Sequence, residues 1–265
     1  MSWQEVLGRV SFSNCDPIFH GLEDRWGILP APPAWLTGHV IRRDCLTAPI
    51  PSADYAEHHE QLILIPDLGI VSRGDVGSVL LFGNRPIETM RDIALPSDSS
   101  TSKKLLGWIL DNRGIDPKTI EMGPDISSML ERCDGALLIG DRALSVADRE
   151  PDLVQLDLGS EWTRITGLPM VFGVFAIRRD TPIESVLRAR NDMLEQYHKF
   201  KEDELWRDVV IRATSLNSGL SEARVSEYFS LEVENRLDLD AVRGLELFLS
   251  EACGMLAHPE WVNLH

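Results

Sequence analysis

The stretch DLGSEWTRITGLPMVFGVFAIRR, from Asp157 to Arg179, constrains the fold more than any other part of the chain. Leu158, Trp162 and Ile165 recur at helical spacing, Asp157 is placed to accept hydrogen bonds from the opening turn, and Gly167 with Pro169 ends the helix. Met170 to Ile177 then carries no charge. Such a run predicts a strand buried on both faces, as at the centre of a parallel or mixed sheet, and the tight turn before it sets the backbone beside an interdomain crevice. The segment reads as a hinge with a site next to it.

Strand and helix signals alternate through most of the chain, which indicates an α/β protein. The first strand is expected at Gly8 to Ser13, and a helix opens at Pro17. ILPAPPAW reads as a proline-rich connection, with helices at Ala34 to Arg42 and Ser52 to His59 and short strands at Cys45 to Ala48 and Leu62 to Ile65. Gly69 to Phe82 reads as two strands, and a helix beyond PSDSSTS runs to Gly114. After Ile177 the pattern turns helical, through about Leu256. The apolar strands Val79 to Phe82 and Met170 to Ile177 flank a block of about 90 residues, the size of a small domain. This predicts a second lobe over 84–170 inserted into a discontinuous first lobe, 1–83 and 171–265. A ligand would sit between them, where strand ends and helix amino termini converge.

Charge narrows the partners. Asp and Glu number 42 against 26 Lys and Arg, a formal net charge of -16, which argues against nucleic acid and anionic membranes. An anionic small molecule would have to be captured locally. Four scattered cysteines form no CxxC pair, and adjacent His58 and His59 lack metal-site spacing, so no metal is expected. No stretch near the amino terminus resembles a secretory signal and none is long enough to span a membrane, so a cytoplasmic protein is expected. GxGxxG, GxxxxGK[ST] and GxSxG are all missing. Apolar faces around Trp206, Phe229 and Phe248 fit internal packing or a subunit contact, leaving monomer or homodimer.

Four short tracts are candidates for chemistry. The tract from Ser97 to Ser102, with Ser100, Thr101 and Ser102 as its site candidates, precedes a helix whose first amides and dipole favour a carboxylate or phosphate, although an ordinary helix cap reads the same way. Asn14 follows the first strand, either as a turn residue or as an amide that donates and accepts to a ligand. Ser78 borders a crossing strand, with its hydroxyl bonded to backbone or facing the crevice. Ile139, Gly140 and Asp141 form a strand-to-helix turn in which Asp141 caps the helix or the backbone lines the crevice.

In order and spacing, SFSNCDP (Ser11 to Pro17), GDVGSVLLF (Gly74 to Phe82), STSKKLL (Ser100 to Leu106), GALLIGDRAL (Gly135 to Leu144) and the opening segment resemble the menaquinone-biosynthesis family of chorismate dehydratases. The resemblance spans nearly the whole chain. It implies a two-lobed type II periplasmic-binding-protein-like fold with a central ligand cleft, and a hydro-lyase that acts on chorismate in the futalosine pathway without a cofactor. Asn14 and Ser78 then match the catalytic positions that align the substrate, whose own enolpyruvyl carboxylate takes the proton. Ser100, Thr101, Ser102, Ile139, Gly140 and Asp141 fall at substrate-binding positions. Ser100 and Lys103 stand where the family commonly has Arg and an apolar residue. Two alternatives share the fold: a 1,4-dihydroxy-6-naphthoate synthase, disfavoured because Ile139 to Asp141 supplies no histidine, and a non-catalytic binding protein for small carboxylates.

Overall fold

The computed structural model of the protein describes residues 2–264. The chain opens with β1 (Val6–Val10), α1 (Asp16–Phe19), β2 (Gly27–Ala31), α2 (Pro33–Arg42), β3 (Ala48–Pro51), α3 (Ser52–His58) and β4 (Leu62–Ser72). Two of these strands contradict the sequence reading, and proline is the reason. Pro30 lies in β2, an edge strand that pairs only with β1. Pro49 and Pro51 lie in β3 opposite Phe175 and Gly173. Their spacing of two turns both nitrogens to the side away from that neighbour, so no ladder bond is lost.

The chain then builds β5 (Val79–Gly83), β6 (Asp92–Pro96), α4 (Thr101–Arg113), β7 (Lys118–Met122), α5 (Ile126–Arg132), β8 (Gly135–Ile139), α6 (Gly140–Arg149), β9 (Val154–Asp157) and α7 (Leu158–Thr166). Their strands form one sheet, ordered β7-β6-β8-β5-β9. Residues 79–83, expected in the first lobe, therefore belong to the second: β5 is buried throughout and pairs with β8 and β9. The first crossing is the turn before it.

The return crossing follows the sequence expectation closely. Asp157 caps α7 by accepting the Ser160 N–H at 2.9 Å, and Gly167 ends the helix at φ 72°. Strand β10 (Met170–Arg178) re-enters the first sheet between β3 and β4, antiparallel to both, and both its faces are buried. Trp162 is fully buried, with its indole N–H on the Pro169 carbonyl at 3.1 Å. Its ring meets Trp108 of α4 at 4.9 Å and Phe248 at 6.0 Å, so it packs the turn against elements from both parts of the chain.

The remainder is α8 (Ile183–Glu202), α9 (Glu204–Ser218), α10 (Glu222–Glu227), a wide π-helical turn at Tyr228–Glu232, β11 (Glu234–Arg236) and α11 (Leu239–Glu251). Strand β11 adds to β4, giving the order β11-β4-β10-β3, and a bridge from Leu7 to Thr47 places β1 and β2 beside β3. Phe229 and Phe248 are buried in the core. Among the described residues no helix is long and apolar enough to cross a membrane.

Candidate active site

A cleft of about 540 Å³, open mouth included, lies where the two sheets face each other. Ile50, Ile70 and Phe172 line it from the first sheet, and Val79 and Ile139 from the second. Every lining residue is neutral. The polar ones are Asn14, Ser78, Ser99, Thr101 and Ser102.

Asn14 sits in a 3₁₀ turn just past β1. Its backbone carbonyl accepts Nδ2–H of Asn235 at 2.9 Å, which fixes the turn. Its side-chain oxygen is buried without a hydrogen-bond partner. A buried polar atom of this kind costs free energy unless a bound group satisfies it, and here it borders the cleft.

Ser78 is held by its main chain. The amides of Val76 and Gly77 donate to the Asp157 carboxylate at 3.0 and 2.8 Å, and Gly77 turns with φ 62°. The Ser78 carbonyl then accepts the Gly140 N–H at 2.7 Å. Its buried hydroxyl accepts the Tyr228 phenol at 2.9 Å.

Thr101 and Ser102 form the first turn of α4 at the cleft wall. The Thr101 hydroxyl accepts the Ala53 N–H at 3.1 Å, and the Ser102 and Ser99 hydroxyls bond each other. Ser99, in the same Ser97 to Ser102 tract, lines the cleft as well. Helices α2, α4 and α6 also begin at lining residues, Pro33, Thr101 and Gly140, so the positive ends of three helix dipoles lie at one cavity. Neutral donors and helix dipoles can thus hold an anion without a cation, as the acidic composition requires.

Ser100 and Asp141 are the two candidates outside the lining. Ser100 precedes α4 with its hydroxyl on the Asp54 carboxylate, which also takes the Thr37 hydroxyl at 2.5 Å. Burial pushes the Asp54 carboxyl up, against those two hydrogen bonds. Asp141 makes no cap on α6. Its carboxylate accepts the backbone N–H and hydroxyl of Ser13, both at 3.0 Å. The Asp54 and Asp141 contacts join the two lobes on either side of the cleft. Among the described residues no three His, Cys, Asp or Glu side chains converge as a metal site requires.

Comparisons with known proteins agree with this geometry. A sequence model of the family described as menaquinone biosynthesis matches residues 6–253. A Thermus thermophilus protein named chorismate dehydratase is 30% identical over 220 residues, 75% of this chain and 81% of its own. Among solved structures, a protein from Archaeoglobus fulgidus superposes with a TM-score of 0.73 at 18% identity, covering 95% of this chain and 98% of its own. The periplasmic aliphatic sulphonate binding protein of Escherichia coli gives 0.64 at 14% identity, with 98% and 94% covered. These likenesses establish a periplasmic-binding-protein-like fold of two α/β lobes.

Proposed function

The chain belongs to the menaquinone-biosynthesis family, and from that premise we propose that it is a chorismate dehydratase, a hydro-lyase that makes 3-[(1-carboxyvinyl)oxy]benzoate. The reaction breaks the ring C–OH bond and removes the proton from the neighbouring ether-bearing carbon. Water leaves, the ring becomes aromatic, and no electrons enter or depart. Aromatisation supplies much of the driving force, so the protein's task is orientation and control of charge.

The observation that carries this reading is the uncharged cleft with Asn14 and Ser78 on its wall. No lining side chain is a base near neutral pH, which suits the mechanism that the family resemblance implies, in which the substrate's own enolpyruvyl carboxylate takes the proton. Thr101, Ser102 and the first amides of α4 hold a carboxylate, while Asn14 and Ser78 hydrogen-bond the reacting face. Excluding water strengthens each of these bonds. No cofactor takes part, and the reaction runs in the cytoplasm.

The test incubates purified protein with chorismate, following loss of the diene absorbance and the appearance of the aromatic ether by chromatography. Turnover is expected, and Asn14→Ala and Ser78→Ala are each expected to lower kcat/KM by about 100-fold, or about 2.7 kcal/mol. Saturable binding without product would identify a binding protein instead. Variants within about threefold of wild type, under 1 kcal/mol, would remove both residues from the mechanism.

A further inference from the structure

Tyr228 is buried at 1% exposure, 150 residues from its partner Ser78 in sequence, and its phenol donates to the Ser78 hydroxyl at 2.9 Å. A serine hydroxyl has one proton and two lone pairs. If the phenol occupies a lone pair, the serine proton must point elsewhere. Ser78 already commits its N–H to Val76 and its carbonyl to Gly140. The open side of its Oγ is the cleft.

The surrounding turn fixes this arrangement. The Val233 N–H closes the π-helical turn onto the Tyr228 carbonyl at 3.0 Å. Glu232 pairs with Arg224 at 2.8 Å and covers Gly77, where a β-carbon would overlap its carboxylate. The same segment continues to Asn235, which holds the Asn14 carbonyl. One short stretch between α10 and α11 therefore backs both Ser78 and Asn14. Burial raises the phenol well above its ordinary range, with smaller contributions from the charges of Asp141, Glu232 and Cys15, so it keeps its proton.

We propose that Tyr228 is a positioning residue for the reaction: its phenol holds the Ser78 oxygen as an acceptor, so that the serine proton is presented to a substrate oxygen in the cleft. The inference rests on the dehydratase reading and specifies how Ser78 works within it. It makes Ser78 a donor with a fixed direction.

A double-mutant cycle tests it. Tyr228→Phe retains the buried ring and removes only the hydroxyl, with thermal unfolding recorded to confirm a folded variant. In the wild-type background it is expected to lower kcat/KM at least tenfold. In a Ser78→Ala background it is expected to change kcat/KM by less than twofold, because the oriented proton is already gone. A wild-type-like Tyr228→Phe overturns the proposal. So does an equal loss in both backgrounds, which would mark a structural role. If wild-type protein binds chorismate without converting it, the dehydratase reading fails by itself, and the cycle is read by calorimetry. Weakening of at least threefold with Ser78 present, and none with alanine there, sustains the positioning role; equal affinities, or no binding by the wild type, overturn it.

Discussion

The Asp141 carboxylate in the second lobe accepts two hydrogen bonds from Ser13 in the first, one from its backbone N–H and one from its hydroxyl. Ser13 is the neighbour of Asn14, so this contact ties the second lobe to the turn that carries Asn14. Asp141→Ala would leave the Ser13 N–H unpaired, a loss of about 1–3 kcal/mol. We expect kcat/KM for chorismate to fall about 5- to 150-fold, with the thermal midpoint falling much less than for a core truncation. Unchanged kinetics in the folded variant would show that this contact does not govern the site.

Gly140 is where closure leaves least space. Its φ is 64°, and a β-carbon there would press into the Phe12 ring across the cleft. Gly140→Ala carries a backbone cost of about 1–2 kcal/mol and also wedges the lobes apart. Gly114, at φ 67° with no atom in reach of an added β-carbon, isolates the first effect. Chemical denaturation should show the backbone cost in both variants and a larger destabilisation for Gly140→Ala, which adds the clash with Phe12. Only Gly140→Ala should lose chorismate turnover, by about 100-fold; equal activities would refute the wedge.

These two contacts also mark what sequence alone could reach. Strand ends and helix starts made Asn14, Ser78, Thr101, Ser102, Ile139 and Gly140 candidates, the family resemblance favoured their functional over their structural readings, and all six line the cleft. Ser100 was indistinguishable from its neighbours as a hydroxyl beside a helix start, yet the direction of its side chain is set by Asp54, 46 residues away. Asp141 looked like a local cap, but its partner lies 128 residues upstream. Tyr228 carried no local signal at all. The prolines hid β2 and β3 because their tolerance depends on which strand edge lacks a partner, a property of the assembled sheet.

Glu161 gives a stability test with a defined pH sign. It is 4% exposed, and Arg164 and Arg113 donate to it at 2.7 and 2.9 Å. The Arg164 hydrogen bond, with help from Arg113, holds the carboxyl below its ordinary range against the opposing effect of burial. A depressed folded-state value contributes stability above the unfolded value, about 4.3, that is lost as pH falls through the folded one. Glu161→Gln should therefore cost about 1–3 kcal/mol at pH 7 in urea unfolding. The gap to wild type should narrow below about pH 4. A gap independent of pH would show that the ion pairs are not its source.

The two crossings between the lobes meet at Asp157, whose carboxylate takes the amides of Val76 and Gly77 from one and Ser160 from the other. The Ser160 bond is a helix cap, worth about 0.5–2 kcal/mol. The other two fix the turn that presents Ser78, and each unpaired amide would cost about 1–3 kcal/mol. Asp157→Ala removes the acceptor of all three amides. Asp157→Ser can still cap α7, because serine is a good cap, but its hydroxyl is one bond too short to reach Val76 and Gly77 as well. Urea unfolding should place the serine variant about 1 kcal/mol above the alanine variant. Turnover of chorismate should be equally low in both, since neither holds the Ser78 turn. Recovery of activity together with stability in Asp157→Ser would mean that capping α7 suffices, and that the carboxylate does not couple the crossings to the site.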